Sequence, residues 1–230
     1  MVTGVSYYWE GGVNMAIVFR ASGLGHPCIR KLWYEAVRRL EEPHSAKTML
    51  TFKIGTVLEA VAVEFLQPPW DTWEVRHNSG SQEAEIETVI PVCSNVEIRG
   101  HHDIVLRCGE NGEWIMGDIK TMNGFAFKQW KKFGTESKYP QYLDQLTIYS
   151  SGEYARSLSI RKMAVIALCK DSVDFPLPVD VVDYNEKRLD NLREKAFYIS
   201  SQTDAPDPGE LPSWCCNYCG FQGDPCLYRP

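Results

Sequence analysis

The sequence has no apolar run long enough to cross a bilayer, a task that takes about 20 residues in a helix. Its N-terminus has no basic stretch leading into an apolar core, the pattern of a secretory leader. The expectation is therefore an intracellular, cytoplasmic protein with no membrane partner. Internal repeats and low-complexity tracts are missing too, which excludes solenoids and linker-like chains. There is no basic surplus: the net charge is −6 over 230 residues, so no overall field advertises a polyanion, although local basic patches remain able to guide one. Core-forming residues are not in short supply. Composition is ordinary for a globular chain, with 44% hydrophobic and 23% charged residues, and the length suits one domain with a proper core.

The most informative stretch is residues 97–121, EIRGHHDIVLRCGENGEWIMGDIKT. It reads as two strands around a tight turn. Val96, Ile98, Ile104 and Leu106 mark the first strand, and Trp114, Ile115 and Ile119 the second. Gly109-Glu110-Asn111-Gly112 lies between them, and Asn-Gly is a strong hairpin signal. A four-residue loop centred on Glu110 and Asn111 pairs positions whose numbers sum to 221, setting Asp103 opposite Asp118. A two-residue Asn111-Gly112 turn gives 223 and sets Asp103 opposite Lys120. Both odd sums gather Asp103, Asp118 and Lys120 on one face, whereas an even sum separates them. Two carboxylates converging beside a lysine repel unless a counter-ion joins them, and a hard cation such as Mg²⁺ takes oxygen ligands of this kind. An exposed ladder of surface ion pairs is the other reading.

Four of the eight cysteines crowd into the last seventeen residues, WCCNYCGFQGDPCLYRP from Trp214 on, with Cys216-Asn-Tyr-Cys219 as a C-x-x-C and Cys226 seven positions later. In a reducing compartment such density with Gly and Pro reads as a metal knuckle one ligand short of four. Cys93, Cys108 and Cys169 sit in strand-like runs and read as small buried hydrophobes. Cys28, in the loop GLGHPC, is the best fourth ligand and would tie the two chain ends together. Cys215 is an extra cysteine that competes with Cys216. Spacing alone does not separate zinc from an iron–sulphur cluster.

Along the chain, residues 16–19 read as a short strand and Ser22 opens a loop. Residues 28–40 are expected as a helix with Arg30, Lys31, Arg38 and Arg39 on a face able to follow a phosphate backbone, or simply solvated. Residues 51–66 are expected as a second helix with a core stripe of Ile54, Val57, Leu58, Val61 and Phe65, stopped by Pro68-Pro69. Glu59 sits there among apolar neighbours, so its carboxylate is partly buried or aimed at a site, with Glu64 as a competitor; Gly55 would allow close approach one turn earlier. Residues 85–93 read as the first strand of the sheet. After Lys120, Phe125, Phe127, Trp130 and Phe133 interleave with Lys128, Lys131, Lys132 and Lys138, which suits a nucleic-acid strand or an amphipathic helix. Residues 139–151 read as a helix with Gln145 and Tyr149 on one face. Residues 161–170 read as a buried strand, 183–201 as a charged helix and 203–212 as a linker.

In this order the motifs resemble the PD-(D/E)xK nuclease superfamily, and within it the RecB-type branch that carries an iron–sulphur cluster, including exonucleases of CRISPR adaptation modules and phage-borne relatives. The resemblance runs from Ser22 to Cys226. It implies an α/β (α+β) fold, restriction-endonuclease-like, with a central mixed sheet flanked by helices. It also implies one nuclease domain over residues 1–230, in which 22–50 and 203–230 form an iron–sulphur subdomain around a catalytic core at 51–202. By the resemblance, Asp103 in Gly100-His101-His102-Asp103, Asp118, the carbonyl of Ile119, and Glu59 would ligate Mg²⁺ or Mn²⁺. Lys120 would orient water, Gln145 and Tyr149 would form the Q-x-x-x-Y motif, and Cys28, Cys216, Cys219 and Cys226 would hold a 4Fe–4S cluster. Asp118 stands where Glu is commoner and Glu59 where CRISPR-associated members carry His. The function implied is metal-dependent DNA exonuclease action on ends or single strands, in CRISPR adaptation, phage recombination or repair, with an integrase or recombination protein as a partner. The alternatives are a DNA-binding partner of the same fold without catalysis, and a zinc-knuckle interaction protein.

Overall fold

The structure is a computed structural model and describes residues 16–78, 86–172, 174–212 and 214–227; most of the N-terminal lead-in and residue 85 of the expected first strand lie outside them. In chain order the elements are β1 (Ile17–Arg20), α1 (Ala21–Leu24), α2 (Ile29–Ala36), α3 (Ala46–Leu66), β2 (Trp73–His77), β3 (Glu87–Cys93), β4 (Val96–His101), β5 (Ile104–Cys108), β6 (Ile115–Met122), α4 (Gly124–Lys138), α5 (Pro140–Ser150), α6 (Glu153–Ser157), β7 (Lys162–Cys169), β8 (Val179–Asp183), α7 (Glu186–Ser200) and α8 (Trp214–Asn217). The strands form two mixed sheets flanked by helices, one ordered β2-β5-β6-β7-β8 and one ordered β1-β4-β3. Among the named strands of the described residues, β6–β7 and β1–β4 pair in parallel and the other pairs are antiparallel.

The larger sheet is buried on both faces, and the alternation along its strands sorts the core in two. Val105, Met116, Met163, Val165 and Ala167 join the main core with α4 and α5. Ile104, Leu106, Ile115, Ile119, Ala164 and Ile166 join a second core under α3, closed by Ala62 and Leu66. The β5–β6 register pairs Ile104 with Gly117, Val105 with Met116 and Leu106 with Ile115, so the sum is 221, the four-residue loop of the two alternatives. Gly112 donates its N–H to the Gly109 carbonyl at 3.2 Å and closes that loop.

Four expectations are corrected. First, residues 96–108 do not run as one strand: the chain breaks at His102 and Asp103, and β4 and β5 belong to different sheets, so the expected single central sheet is two. His102 is buried against the Tyr154 ring, with centroids 5.2 Å apart, and Asp103 turns its side chain onto β6. Second, α3 starts at Ala46, where the Ser45 hydroxyl accepts from the Thr48 N–H, and it buries Ala62 and Leu66; of the expected stripe Phe65 packs against the same core, whereas Ile54, Val57 and Val61 are exposed. A helix apolar on most sides offers two possible inward faces, and the one that carries Glu59 and small residues is the one laid on the sheet. Third, α2 ends at Ala36 rather than 40, so Arg38 and Arg39 lie beyond it and are exposed, while the basic residues within it are used internally. Lys31 pairs with Glu35 and Glu42 at 2.6 and 2.5 Å, Arg30 donates to the Pro206 carbonyl, and Arg39 to that of Ala16. Fourth, Ser22 lies in α1, and β8 precedes the last long helix, whose start is capped by Asn185.

Two glycines behave oppositely. At Gly100 a Cβ would meet Ala21 Cβ at 2.7 Å and the Tyr149 ring at 2.9 Å, so the bare backbone is what lets Tyr149 lie against β4. At Gly55 the nearest atom would be Thr121 Oγ1 at 3.7 Å, an ordinary contact, so the expected need for close approach there is not met. Gly100→Ala should therefore lower stability by about 1–3 kcal/mol through overpacking, whereas Gly55→Ala should raise it by about 0.5–1 kcal/mol through helix propensity. Urea unfolding of both variants checks this, and equal signs would refute the packing described.

Candidate active site

β6 is the strand on which the site is built. It is flanked by β5 and β7, and its alternation turns Asp118 and Lys120 toward α5 while Ile119 enters the core under α3. Asp118 is completely buried. Lys120 Nζ lies 2.9 Å from its Oδ1, as a hydrogen bond, and 2.8 Å from its Oδ2. Gln145, from α5, donates to Asp118 Oδ1 at 3.1 Å and to the Tyr149 hydroxyl at 3.0 Å, and its carbonyl accepts from Lys120 at 3.2 Å. Of the i,i+4 pair expected on one helix face, Gln145 thus meets the carboxylate and the lysine, and Tyr149 meets Gln145. Tyr142 lies beneath the ammonium, 5.1 Å from Nζ.

Asp103 reaches the same place from the broken end of β5. Its Oδ2 accepts the Ile119 N–H at 3.1 Å, just beyond the last β5–β6 pair. N–H and C=O of one strand residue point to the same neighbour, so the Ile119 carbonyl faces the gap that Asp103 occupies. Glu59 comes from the opposite layer, on α3, and its carboxylate feels both Asp103 and Lys120. His77, at the end of β2, lies 3.3 Å from Glu59 Oε1 through Nε2. Sequence reading had no place for His77. The available signal was the alternation in W-E-V-R-H, which sets Trp73, Val75 and His77 on one face. Glu64 is exposed.

Electrostatics follow from burial. Desolvation drives the Asp118 carboxyl up to about 8, Lys120 pulls it back, and Asp103 adds to the rise. Burial alone would lower the Lys120 ammonium, but the fields of Asp118 and Asp103 win and raise it, so Lys120 stays a proton donor. Glu59 is raised, first by burial and then by Asp103. Burial lowers His102 to about 4, leaving it neutral.

The donor set fits a hard divalent cation chemically: carboxylates accumulate without a matching number of cations, and the buried Asp118 Oδ2 has the Lys120 ammonium at 2.8 Å as its ion-pair partner but no hydrogen bond of its own. Among the described residues, however, no three His, Cys, Asp or Glu side chains stand close enough to hold one metal ion. The carboxylates are held by Lys120, the Ile119 N–H and His77 instead.

The C-terminal segment docks on α2. Gly220 donates to Glu42, Tyr34 donates to the Pro225 carbonyl, and Phe221 is buried against the Tyr34 ring. This brings Cys28, Cys216, Cys219 and Cys226 around one cavity, with Cys215 as a fifth wall. Cys28 also caps α2, its Sγ accepting the Lys31 N–H at 3.4 Å. Burial pushes the Cys28, Cys215 and Cys219 thiols up. Thiol donors suit zinc or iron chemically, yet their arrangement is not a ligating one. Cys93 and Cys108, expected to be buried, are exposed, while Cys169 is buried.

Asp118 has a pH consequence. Its carboxyl binds a proton more tightly when folded than at the unfolded value of about 3.9, so its stabilising contribution is full at acid pH and is lost as pH rises through about 8. In EDTA, melting temperature should fall as pH rises from about 5 to about 8 and level off above it, and Asp118→Asn should flatten that fall by a few degrees, at about 2–4 °C per kcal/mol. An unchanged slope in the variant would contradict the buried-carboxyl reading.

No protein-family model matches the sequence, and no curated protein matches it. Solved structures do match in shape. One is SSO0001, at 16% identity and a TM-score of 0.53, over 94% of this chain and 87% of that one. Another is the alkaline exonuclease LHK-Exo of Laribacter hongkongensis, at 12% identity and a TM-score of 0.52, over 78% of this chain and 84% of that one. The same enzyme in complex with dAMP matches at 12% identity and 0.53, over 79% and 85%. At these identities the likeness is one of fold: mixed sheets and flanking helices arranged as in SSO0001 and the alkaline exonuclease.

Proposed function

We propose that this chain is a divalent-cation-dependent deoxyribonuclease of the PD-(D/E)xK type, hydrolysing phosphodiester bonds at DNA ends or in single strands. The observation that carries the reading is a wholly buried carboxylate, Asp118, that shares the field of one lysine with Asp103 and is held by Gln145, which Tyr149 braces in turn. A sheet interior tolerates such a cluster at a cost in stability, and function is the reason to keep it. The fold shared with an alkaline exonuclease supports the same reading.

Asp103, Asp118, Glu59 and the Ile119 carbonyl would hold Mg²⁺ or Mn²⁺, which supplies Lewis-acid polarisation of a phosphate oxygen and a more acidic water. Lys120, kept protonated, donates hydrogen bonds to the attacking water or to phosphate oxygen rather than acting as a base. Gln145 fixes the lysine from the side, and Tyr149 fixes Gln145. Exposed Phe125 and Phe133, with Lys128, Lys132 and Lys138 beside them, give α4 an edge for stacking bases and meeting phosphates. Cys28, Cys216, Cys219 and Cys226 would bind a structural 4Fe–4S cluster, or zinc, that pins the C-terminal segment to α2. The unit as a whole fits CRISPR adaptation, phage recombination or repair, beside an integrase or recombination partner.

End-labelled DNA digested with Mn²⁺ tests this. Asp118→Ala and Lys120→Ala should each lose cleavage by at least about 10²–10³-fold, the scale of removing one preorganised charge contact. Undiminished cleavage by either would sink the assignment. Anaerobic purification tests the cysteine site. A brown protein with about four irons per chain supports the cluster, a colourless protein with one zinc supports the knuckle, and Cys28→Ser should release either metal.

A further inference from the structure

β2 pairs antiparallel with β5, and its last residue, His77, stands directly opposite Ile104, the residue after Asp103. The backbone at this point is fixed on two sides. Asn78 donates its N–H to the Asp103 carbonyl at 2.9 Å, and its side-chain amide clasps Ile86, accepting from the Ile86 N–H at 2.8 Å and donating to its carbonyl at 3.0 Å. His77 shares its face with Ile104, the face that α3 covers, and there Nε2 meets Glu59 Oε1 at 3.3 Å. Both side chains are about one-quarter exposed, at 25% and 27%, so neither is held by packing alone. Glu59 also has Asp103 and Lys120 within electrostatic reach. A flexible glutamate on a helix, facing another carboxylate, swings away from it unless something holds it. The imidazole, standing on a rigid strand end, is that hold.

We infer that His77 is a positioning residue, which keeps the Glu59 carboxylate turned toward Asp103 and so sets the affinity of that end of the site for a divalent cation. The inference rests on the nuclease reading and assigns this chain a ligand-orienting residue outside the recognised motifs. Outer partners of this kind are worth about 10–100-fold in metal affinity.

The test is Mn²⁺ binding to the full chain, followed by loss of the free-ion electron paramagnetic resonance signal, so it does not depend on cleavage. His77→Ala should weaken Mn²⁺ about tenfold, and His77→Gln, whose amide keeps a donor for Glu59, should stay within about threefold of wild type. In a Glu59→Gln background, His77→Ala should add no further loss, because the residue acts through Glu59. Circular dichroism confirms that each variant is folded. DNA cleavage followed against Mn²⁺ concentration should show His77→Ala shifted to higher Mn²⁺ with the plateau rate retained. Wild-type binding together with undiminished binding by His77→Ala, or an equal loss in the Glu59→Gln background, overturns the inference and leaves the nuclease reading standing. A wild type that binds no Mn²⁺ overturns both. A wild type that binds Mn²⁺ but cuts no DNA overturns the nuclease reading while the binding series still decides the role of His77.

Discussion

The structure depends on one costly act, the complete burial of the Asp118 carboxylate on the central strand of the larger sheet. An ionised carboxylate taken out of water needs a counter-charge and hydrogen bonds, or it takes up a proton. Here the surrounding elements are arranged to supply them. Lys120 is two residues along the same strand, Gln145 comes from α5, and Tyr149 braces Gln145 from one turn further on. Gly100 gives Tyr149 the room to do so. The supply is incomplete, since one ammonium, Lys120, serves both oxygens of Asp118 and Asp103 stands nearby as a second carboxylate.

Asp103 is free to reach β6 because β5 starts only at Ile104. The residue before it is out of the ladder, so Asp103 turns onto the Ile119 N–H, within electrostatic reach of Glu59 on α3. Had residues 96–108 continued as one strand, the sheet would have separated α3 from α5 and Glu59 from Asp103. The break therefore builds the site, and the two-sheet architecture is its consequence.

Much of the site was legible in the sequence because it rests on short-range rules. Loop length set the β5–β6 register, strand alternation set Asp118 and Lys120 on one face, and a four-residue spacing set Gln145 above Tyr149. The density of cysteines placed one cavity between the chain ends. What escaped depends on choices made by packing. The α3 stripe failed because a helix apolar on most sides has no single inward face in its periodicity, and small Ala62 lies closer to the sheet than Val57. Arg30 and Lys31 read as part of a phosphate-facing row, but the acceptors that hold them, Glu42 and Pro206 among them, are distant in sequence or set by a turn. His77 escaped for a similar reason: its partner is eighteen residues earlier, on another element.

The central claim is that Asp103 and Asp118 form the two halves of one cation site. Diffraction from crystals soaked in Mn²⁺, collected at the manganese absorption edge, addresses it directly. The account predicts an anomalous peak within ligand distance of both carboxylates, beside the Ile119 carbonyl, with Lys120 turned from Asp118 toward solvent. Full Mn²⁺ occupancy elsewhere on the molecule, with no peak between Asp103 and Asp118, would contradict it.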